Sequence, residues 1–189
     1  MSSVETLARR PQRADARRNY DRLIEAARKS FTANGTETSL EAIARDAGVG
    51  IGTLYRHFPN RQALLEGVYL EEIQNLADSA MQLGDLPPWE GLEQWLRRFL
   101  GYAVTKRAIA MELVATLGKE SEFFQLCHTA IRESGGALMQ RAQDAGQLRT
   151  DLEFRDIIRL VGGIAWADNV EPDQVDRMFT VILDGLRQR

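Results

Sequence analysis

The chain has 189 residues, 44% of them hydrophobic and 27% charged, with a formal net charge of −3, a balance that fits a globular protein of one or two domains and excludes a disordered or fibrous chain. No apolar run approaches the roughly 20 residues needed to span a bilayer, and the start MSSVETLARRPQR lacks the apolar segment of a secretion signal, so the chain is expected to stay in the cytoplasm. The single cysteine, Cys127, excludes an internal disulfide and has no spacing partners for a zinc site; it reads as a partly buried thiol, and neither metal nor cofactor is expected.

In chain order, the first segment is basic. Residues 1–61 hold 11 Lys and Arg against 7 Asp and Glu, or +4, leaving −7 for the rest. Arg9, Arg10, Arg13, Arg17 and Arg18 form the densest cluster, and residues 1–15 read as a flexible basic arm able to track phosphates or a minor groove. A helix follows over about Ala16 to Asn34, with Tyr20, Leu23, Ile24, Ala27 and Phe31 on one face and Gly35 closing it. Arg28 and Lys29 lie off that stripe and read as solvated, with phosphate contact the alternative.

Thr38 to Leu65 is the most informative stretch. Thr38 is placed to cap a helix, with Glu41 three residues on to complete a capping box. Leu40, Ile43, Ala44 and Ala47 give that helix an apolar stripe, Gly48 stops it in a tight turn, and Val49 plugs the angle. A second short helix spans about Ile51 to Phe58, with Ile51, Leu54 and Phe58 facing inward. Gly52, Thr53, Tyr55, Arg56 and His57 are left outside. Pro59 ends it and Asn60 caps the next. Two helices at a glycine turn, the second showing small and hydrogen-bonding side chains, make a helix-turn-helix, a motif that reads DNA. Thr38 or Ser39, the Gly50 N–H, the Tyr55 hydroxyl and His57 suit phosphate. Gly52 allows close backbone approach, and Thr53 and Arg56 are placed for base edges, Arg56 preferring guanine.

From Tyr20 to about Val68 the chain resembles the N-terminal DNA-binding domain of the tetracycline-repressor (TetR) family. The likeness is carried by Ile24, Ala27, Phe31 and Gly35, then Ile43-Ala44, Ala47-Gly48-Val49, Gly52-Thr53-Leu54-Tyr55, His57-Phe58 and Leu64. Gly50 departs from it, since the family usually carries Ser or Thr there, so phosphate binding falls to the backbone or to neighbours. Arg61 resembles the Lys with which the family commonly anchors phosphate at the start of the next helix. The resemblance further implies a repressor, a homodimer joined through the last two helices of each subunit, and a cavity for a small effector.

The remainder keeps the helical period, giving an all-α chain of about nine helices: a helix-turn-helix domain over residues 16–67 and a helical effector-binding and dimerisation domain over 68–189. Helices are expected at about Arg61 to Met81, Trp89 to Thr105, Ala108 to Leu117, Ser121 to Ala145, Leu152 to Asp168 and Pro172 to Leu186, with a break at Leu83 to Pro88. The last two are apolar on more than one face, which requires burial on more than one side, either centrally within one chain or against a partner, and dimerisation is the stronger reading. Ile157, Ile158, Val161, Ile164, Val175, Met178, Phe179, Ile182 and Leu186 are therefore expected at a two-fold interface that sets two readers on successive major-groove faces of a near-palindromic operator. Trp95, Phe99, Tyr102, Met111, Phe123, Cys127, His128 and Trp166 are the candidates for lining an effector pocket. An enzyme is not expected: there is no phosphate loop, nucleophile elbow or paired-histidine motif, and two histidines offer few general bases. The alternative to a regulator is a helical adaptor that reuses the fold for protein contacts.

Overall fold

The computed structural model describes residues 10–167 and 169–188. These form eight helices: α1 (Ala14–Asn34), α2 (Leu40–Asp46), α3 (Ile51–His57), α4 (Arg61–Leu83), α5 (Pro88–Leu117), α6 (Glu122–Asp144), α7 (Phe154–Ala165) and α8 (Pro172–Leu186). Among the described residues no helix is long and apolar enough to cross a membrane, and no group of His, Cys, Asp and Glu could hold a metal ion. Nine expected helices become eight because α5 is continuous where a break was expected near Lys106. No glycine or proline stands there. Lys106 is buried and the Arg107 guanidinium lies 5.5 Å over the Trp166 ring, so the long side chains extend the packed surface instead of interrupting it.

The chain divides into two compact units, one running to Ile73 and adding Ala108–Cys127, the other made of Gln74–Arg107 and the chain from His128. In the first, α1 buries Tyr20, Leu23, Ile24, Ala27 and Phe31 against Ile43 and Ala44 of α2, Leu54 of α3 and the start of α4. The close fit needs Gly67, where a Cβ would stand 2.9 Å from the Phe58 ring and 3.1 Å from Ile24 Cδ1. Gly35 and Gly48 end α1 and α2 at φ +70° and +65°, backbone that a side chain disfavours.

The second unit is organised around Trp95, which is fully buried. Its ring stacks on Phe99 at 5.9 Å, tilts against Phe154 at 5.8 Å, and donates Nε1–H to the Leu76 carbonyl at 3.1 Å, so the one polar atom of a large apolar side chain is satisfied. At the start of α7 the Asp156 carboxylate accepts from the Glu153 N–H at 2.9 Å, and Pro172 opens α8 at its first turn. Leu148 bridges to Arg187, whose guanidinium sits 3.9 Å from the Trp89 ring centroid.

The two apolar helices divide their side chains. Ile157, Val161, Ile164, Phe179 and Leu186 are buried within the chain itself, while Ile158, Val175, Met178 and Ile182 are half-buried. Leu160, Trp166 and Val181 stand 50%, 52% and 71% exposed, apolar surface that the chain itself leaves uncovered.

Adjacent glycines in α6 make a test of the packing. A Cβ on Gly135 would lie 2.5 Å from both Trp95 and Phe154, whereas one on Gly136 meets nothing within 4 Å. Gly135→Ala should lower unfolding free energy by about 1–3 kcal/mol through overpacking, and Gly136→Ala should raise it by up to about 1 kcal/mol through helix propensity. Urea unfolding of both variants measures the difference; equal signs would show that Trp95 is free to yield.

Candidate nucleic-acid interface

The helix-turn-helix segment is built from elements too short to stand alone. Helix α2 has seven residues and is capped by Ser39, whose Oγ accepts from the Ala42 N–H at 3.2 Å. The cap is thus Ser39 where Thr38 was expected; the Thr38 hydroxyl donates to the Gly35 carbonyl at 3.3 Å and ties the turn to the end of α1. After Gly48, the Val49 N–H closes onto the Ala44 carbonyl at 3.0 Å, fixing the angle between α2 and α3.

Helix α3 starts at Gly50, which caps it without a side chain; the Gly50 carbonyl accepts from the Thr53 and Leu54 N–H groups at 2.8 and 3.2 Å. Only Leu54 of its seven residues is buried, and Ile51, expected to face inward, is 37% exposed at the rim. Seven residues give too few turns to bury both ends. Phe58 is buried in extended backbone just past the helix and packs on Tyr20 at 5.1 Å. Gly50, Gly52, Tyr55 and Arg56 are exposed, Thr53 and His57 half-buried, and a Cβ at Gly50 or Gly52 would meet nothing within 4 Å. The structure therefore brings the expected residues of α3 together on one open face, with Ser39 exposed at the start of α2.

His57 lies edge-on to Tyr20 at 6.1 Å and 6.3 Å from Phe58. Desolvation by this packing holds its imidazole below the ordinary pKa of 6.5, so it is neutral at pH 7 and offers an N–H rather than a charge. Burial, with Glu71 adding to it, pushes the Tyr20 phenol up to about 12, which keeps that ring an uncharged wall.

Arg61 differs most from its expected place. Its Nη1 donates to the Thr38 carbonyl at 2.7 Å, its Nε lies 3.7 Å from Glu112 Oε1, its guanidinium covers the Phe31 ring at 5.7 Å, and Nη2 is buried without a hydrogen-bond partner. An exposed phosphate anchor would stand outward; this side chain is folded in. Glu112 was missed by the sequence reading, because its pairing with Arg61 is between residues far apart in the chain and no local pattern announces it.

Several other cations have acidic partners. Arg10 pairs with Glu71, Arg18 with Asp15, Arg28 with Glu25 and Lys29 with Glu25. Arg9 and most of the expected basic arm lie outside the described residues, while α1 already begins at Ala14.

The expected effector residues divide between the units. Trp95, Phe99 and Tyr102 form a continuous aromatic run, Phe99 to Tyr102 at 6.2 Å, and His128 and Trp166 are exposed in the same unit. Met111, 52% exposed, Phe123 and Cys127 belong to the other. Phe123 packs against Tyr69 at 5.7 Å, and burial pushes the Cys127 thiol up to about 12, leaving it unreactive. A shallow concavity of about 430 Å³ between α1 and the end of α2 is bordered by Glu25, Lys29 and Asp46 and touches none of the eight.

The family model for bacterial regulatory proteins of the tetR family matches residues 23–68, and that for the C-terminal domain of SbtR-like transcriptional regulators matches residues 87–188. A crystal structure of a TetR transcriptional regulator from Streptomyces coelicolor is 39% identical, covers 89% of this chain and 98% of its own, and superposes with a TM-score of 0.75. The TetR transcription regulatory protein of Mycobacterium vanbaalenii is 32% identical over 94% of this chain and 99% of its own, at a TM-score of 0.74. An HTH-type transcriptional regulator of Staphylococcus aureus is 30% identical over 120 residues, or 60% of this chain; the match spans 65% of that relative's length.

Because His57 is held neutral in the fold, the unfolded chain binds its proton first as pH falls. This group's contribution to stability is complete above pH 6.5 and declines as pH drops through the unfolded value. Melting curves from pH 7.5 to 5.5 should therefore be flatter for His57→Gln than for the wild type, and an unchanged difference between the two across that range would disprove the linkage.

Proposed function

Because the chain belongs to the TetR family of bacterial helix-turn-helix transcriptional regulators, we propose that it is a repressor that binds a near-palindromic operator as a homodimer and releases it when a small effector binds. The observation that carries the DNA-binding part is the open face of α3, where Gly52, Tyr55 and Arg56 stand exposed on a helix whose opposite side is pinned by Leu54 and Phe58. Residues 16–67 are the reader and 68–189 the effector-binding and dimerisation portion.

Within the reader, the Ser39 and Thr38 backbone, the Gly50 N–H, the Tyr55 hydroxyl and the neutral His57 contact phosphate, while Thr53 and Arg56 reach base edges in the major groove. The absence of any side chain near Gly50 and Gly52 supports close approach of a nucleic-acid backbone. Helices α7 and α8 form the two-fold interface. The apolar surface they leave exposed at Leu160, Trp166 and Val181, continuous in type with half-buried Ile158, Val175, Met178 and Ile182, supports that assignment. Such a dimer spaces its two readers by about one helical turn of DNA, roughly 34 Å.

The effector rests on family membership, since Trp95 and Phe99 are packed into the core. Its binding lowers operator affinity only by the factor with which it prefers the DNA-incompetent dimer. The protein works in the cytoplasm, where its operator is.

Tyr55→Ala should weaken operator binding about tenfold or more while sedimentation still reports a dimer. Gel shifts with operator recovered by selection from genomic fragments provide the measurement, and an isotherm identical to wild type at physiological salt would remove Tyr55 from the interface. Gly50→Ser fits its open site, with φ −71°, and should tighten the same operator by adding a hydroxyl donor; weaker binding in that titration would mean that the phosphate already lies too close for a Cβ. Wild-type protein that shifts no DNA, even at low salt, would favour the adaptor reading.

A further inference from the structure

We propose that Arg61 and Glu112 form a positioning pair that fixes the backbone ahead of α2, so that Glu112, a residue of α5, sets operator affinity without touching DNA. The inference rests on the DNA-binding reading above. Three contacts define the guanidinium: Nη1 to the Thr38 carbonyl at 2.7 Å, the ring of Phe31 beneath it, and Glu112 Oε1 3.7 Å from Nε. The fourth direction is closed, because Nη2 is buried and has no partner. In that position Nη1 is committed to the Thr38 carbonyl and Nη2 is closed to solvent.

The consequence for the reader follows from peptide geometry. A trans peptide carries its C=O and N–H on opposite sides, so the bond that draws the Thr38 carbonyl toward Arg61 turns the Ser39 N–H the other way. Ser39 is exposed and its hydroxyl is occupied in capping α2, which leaves that N–H oriented by the Arg61 bond. Glu112 supplies the charge that makes this inward pose of Arg61 favourable. Both side chains are about one-third exposed, 31% and 32%, so their attraction is less screened than that of a fully solvated pair. Without Glu112 a partly buried cation keeps one neutral carbonyl as its main partner, and the balance moves toward solvent.

The sign of the effect separates this from simple electrostatics. Removing a negative charge from a DNA-binding protein ordinarily strengthens binding, whereas loss of a positioning contact weakens it. The test is operator binding by Glu112→Gln, Arg61→Lys, Arg61→Gln and the Arg61→Gln/Glu112→Gln double variant across a salt series, beside wild type and a non-specific duplex.

Glu112→Gln, which keeps the shape of the side chain, is expected to weaken operator binding about 3- to 30-fold and to leave non-specific binding and the salt slope at wild-type values. Arg61→Lys, which keeps the charge but lacks the fork that joins Thr38 to Glu112, should weaken binding similarly. The double variant should bind no worse than Arg61→Gln alone. The proposal is overturned if Glu112→Gln binds as well as or better than wild type, or if Arg61→Gln lowers the salt slope by about one, the mark of a lost phosphate contact. Wild-type protein that binds no DNA would overturn the DNA-binding reading itself, an outcome visible before any variant is compared.

Discussion

Everything in the first unit depends on the packing of α1 against two helices that could not exist without it. Helices α2 and α3 have seven residues each, about half of what an isolated helix needs to be even marginally stable in water. Their persistence rests on a few buried contacts: Ile43 and Ala44 from α2, Leu54 from α3, and Phe58 immediately after it, all gathered on the face of α1 that carries Tyr20, Leu23, Ile24, Ala27 and Phe31. Gly67 lets α4 close on the same cluster. The arrangement leaves α3 with most of its surface uncommitted, which is what a helix must offer if it is to enter a groove.

Charge in this unit is arranged less simply than its count. The excess of basic residues in the first third of the chain suggests a cationic surface, yet Arg10, Arg18, Arg28 and Lys29 each have a carboxylate within ion-pair distance, and Arg61 is folded toward Glu112. Exposed pairs of this kind contribute little to stability, typically under about 1 kcal/mol. Their larger effect is on partners, because a cation already facing a carboxylate releases fewer counterions when a phosphate approaches. On the proposed reading, specific contacts from α3 and the α2 turn carry more of the recognition than bulk charge does.

Much of the fold was legible because helices announce themselves in period and punctuation. The stripe on α1, the Gly48 turn, the Asn60 side chain accepting from Ala63 and the Pro172 start of α8 all follow from local chemistry. Where local chemistry was ambiguous the reading slipped. Two adjacent hydroxyls, Thr38 and Ser39, compete for one cap, and only the three-dimensional closeness of the Gly35 carbonyl gives Thr38 another partner. Separate helices were expected to end at Thr105 and resume at Ala108, and burial of Lys106 with stacking of Arg107 on Trp166 makes that stretch part of a continuous helix. The open face of α3 was readable from residue types; the inward turn of Arg61 was not, since it depends on Glu112 and Thr38, distant in sequence. The apolar excess of α7 and α8 was plain, but which side chains face out required the packing of the chain on itself.

The bare backbone at the start of α3 has a consequence for how much sequence information the protein can extract. Gly50 and Gly52 contribute no side-chain atoms, and their surroundings are open. On the proposed reading, a main-chain N–H aimed at phosphate is indifferent to the base attached to that phosphate, so this end of α3 would fix register while remaining blind to letter. On that proposal discrimination would be concentrated in Thr53 and Arg56, and each half-operator would consist of a short, strict core beside positions that vary freely. A genome would contain many partial matches to such a core, and the two-fold pairing of half-sites, more than the richness of either, would make one address unique.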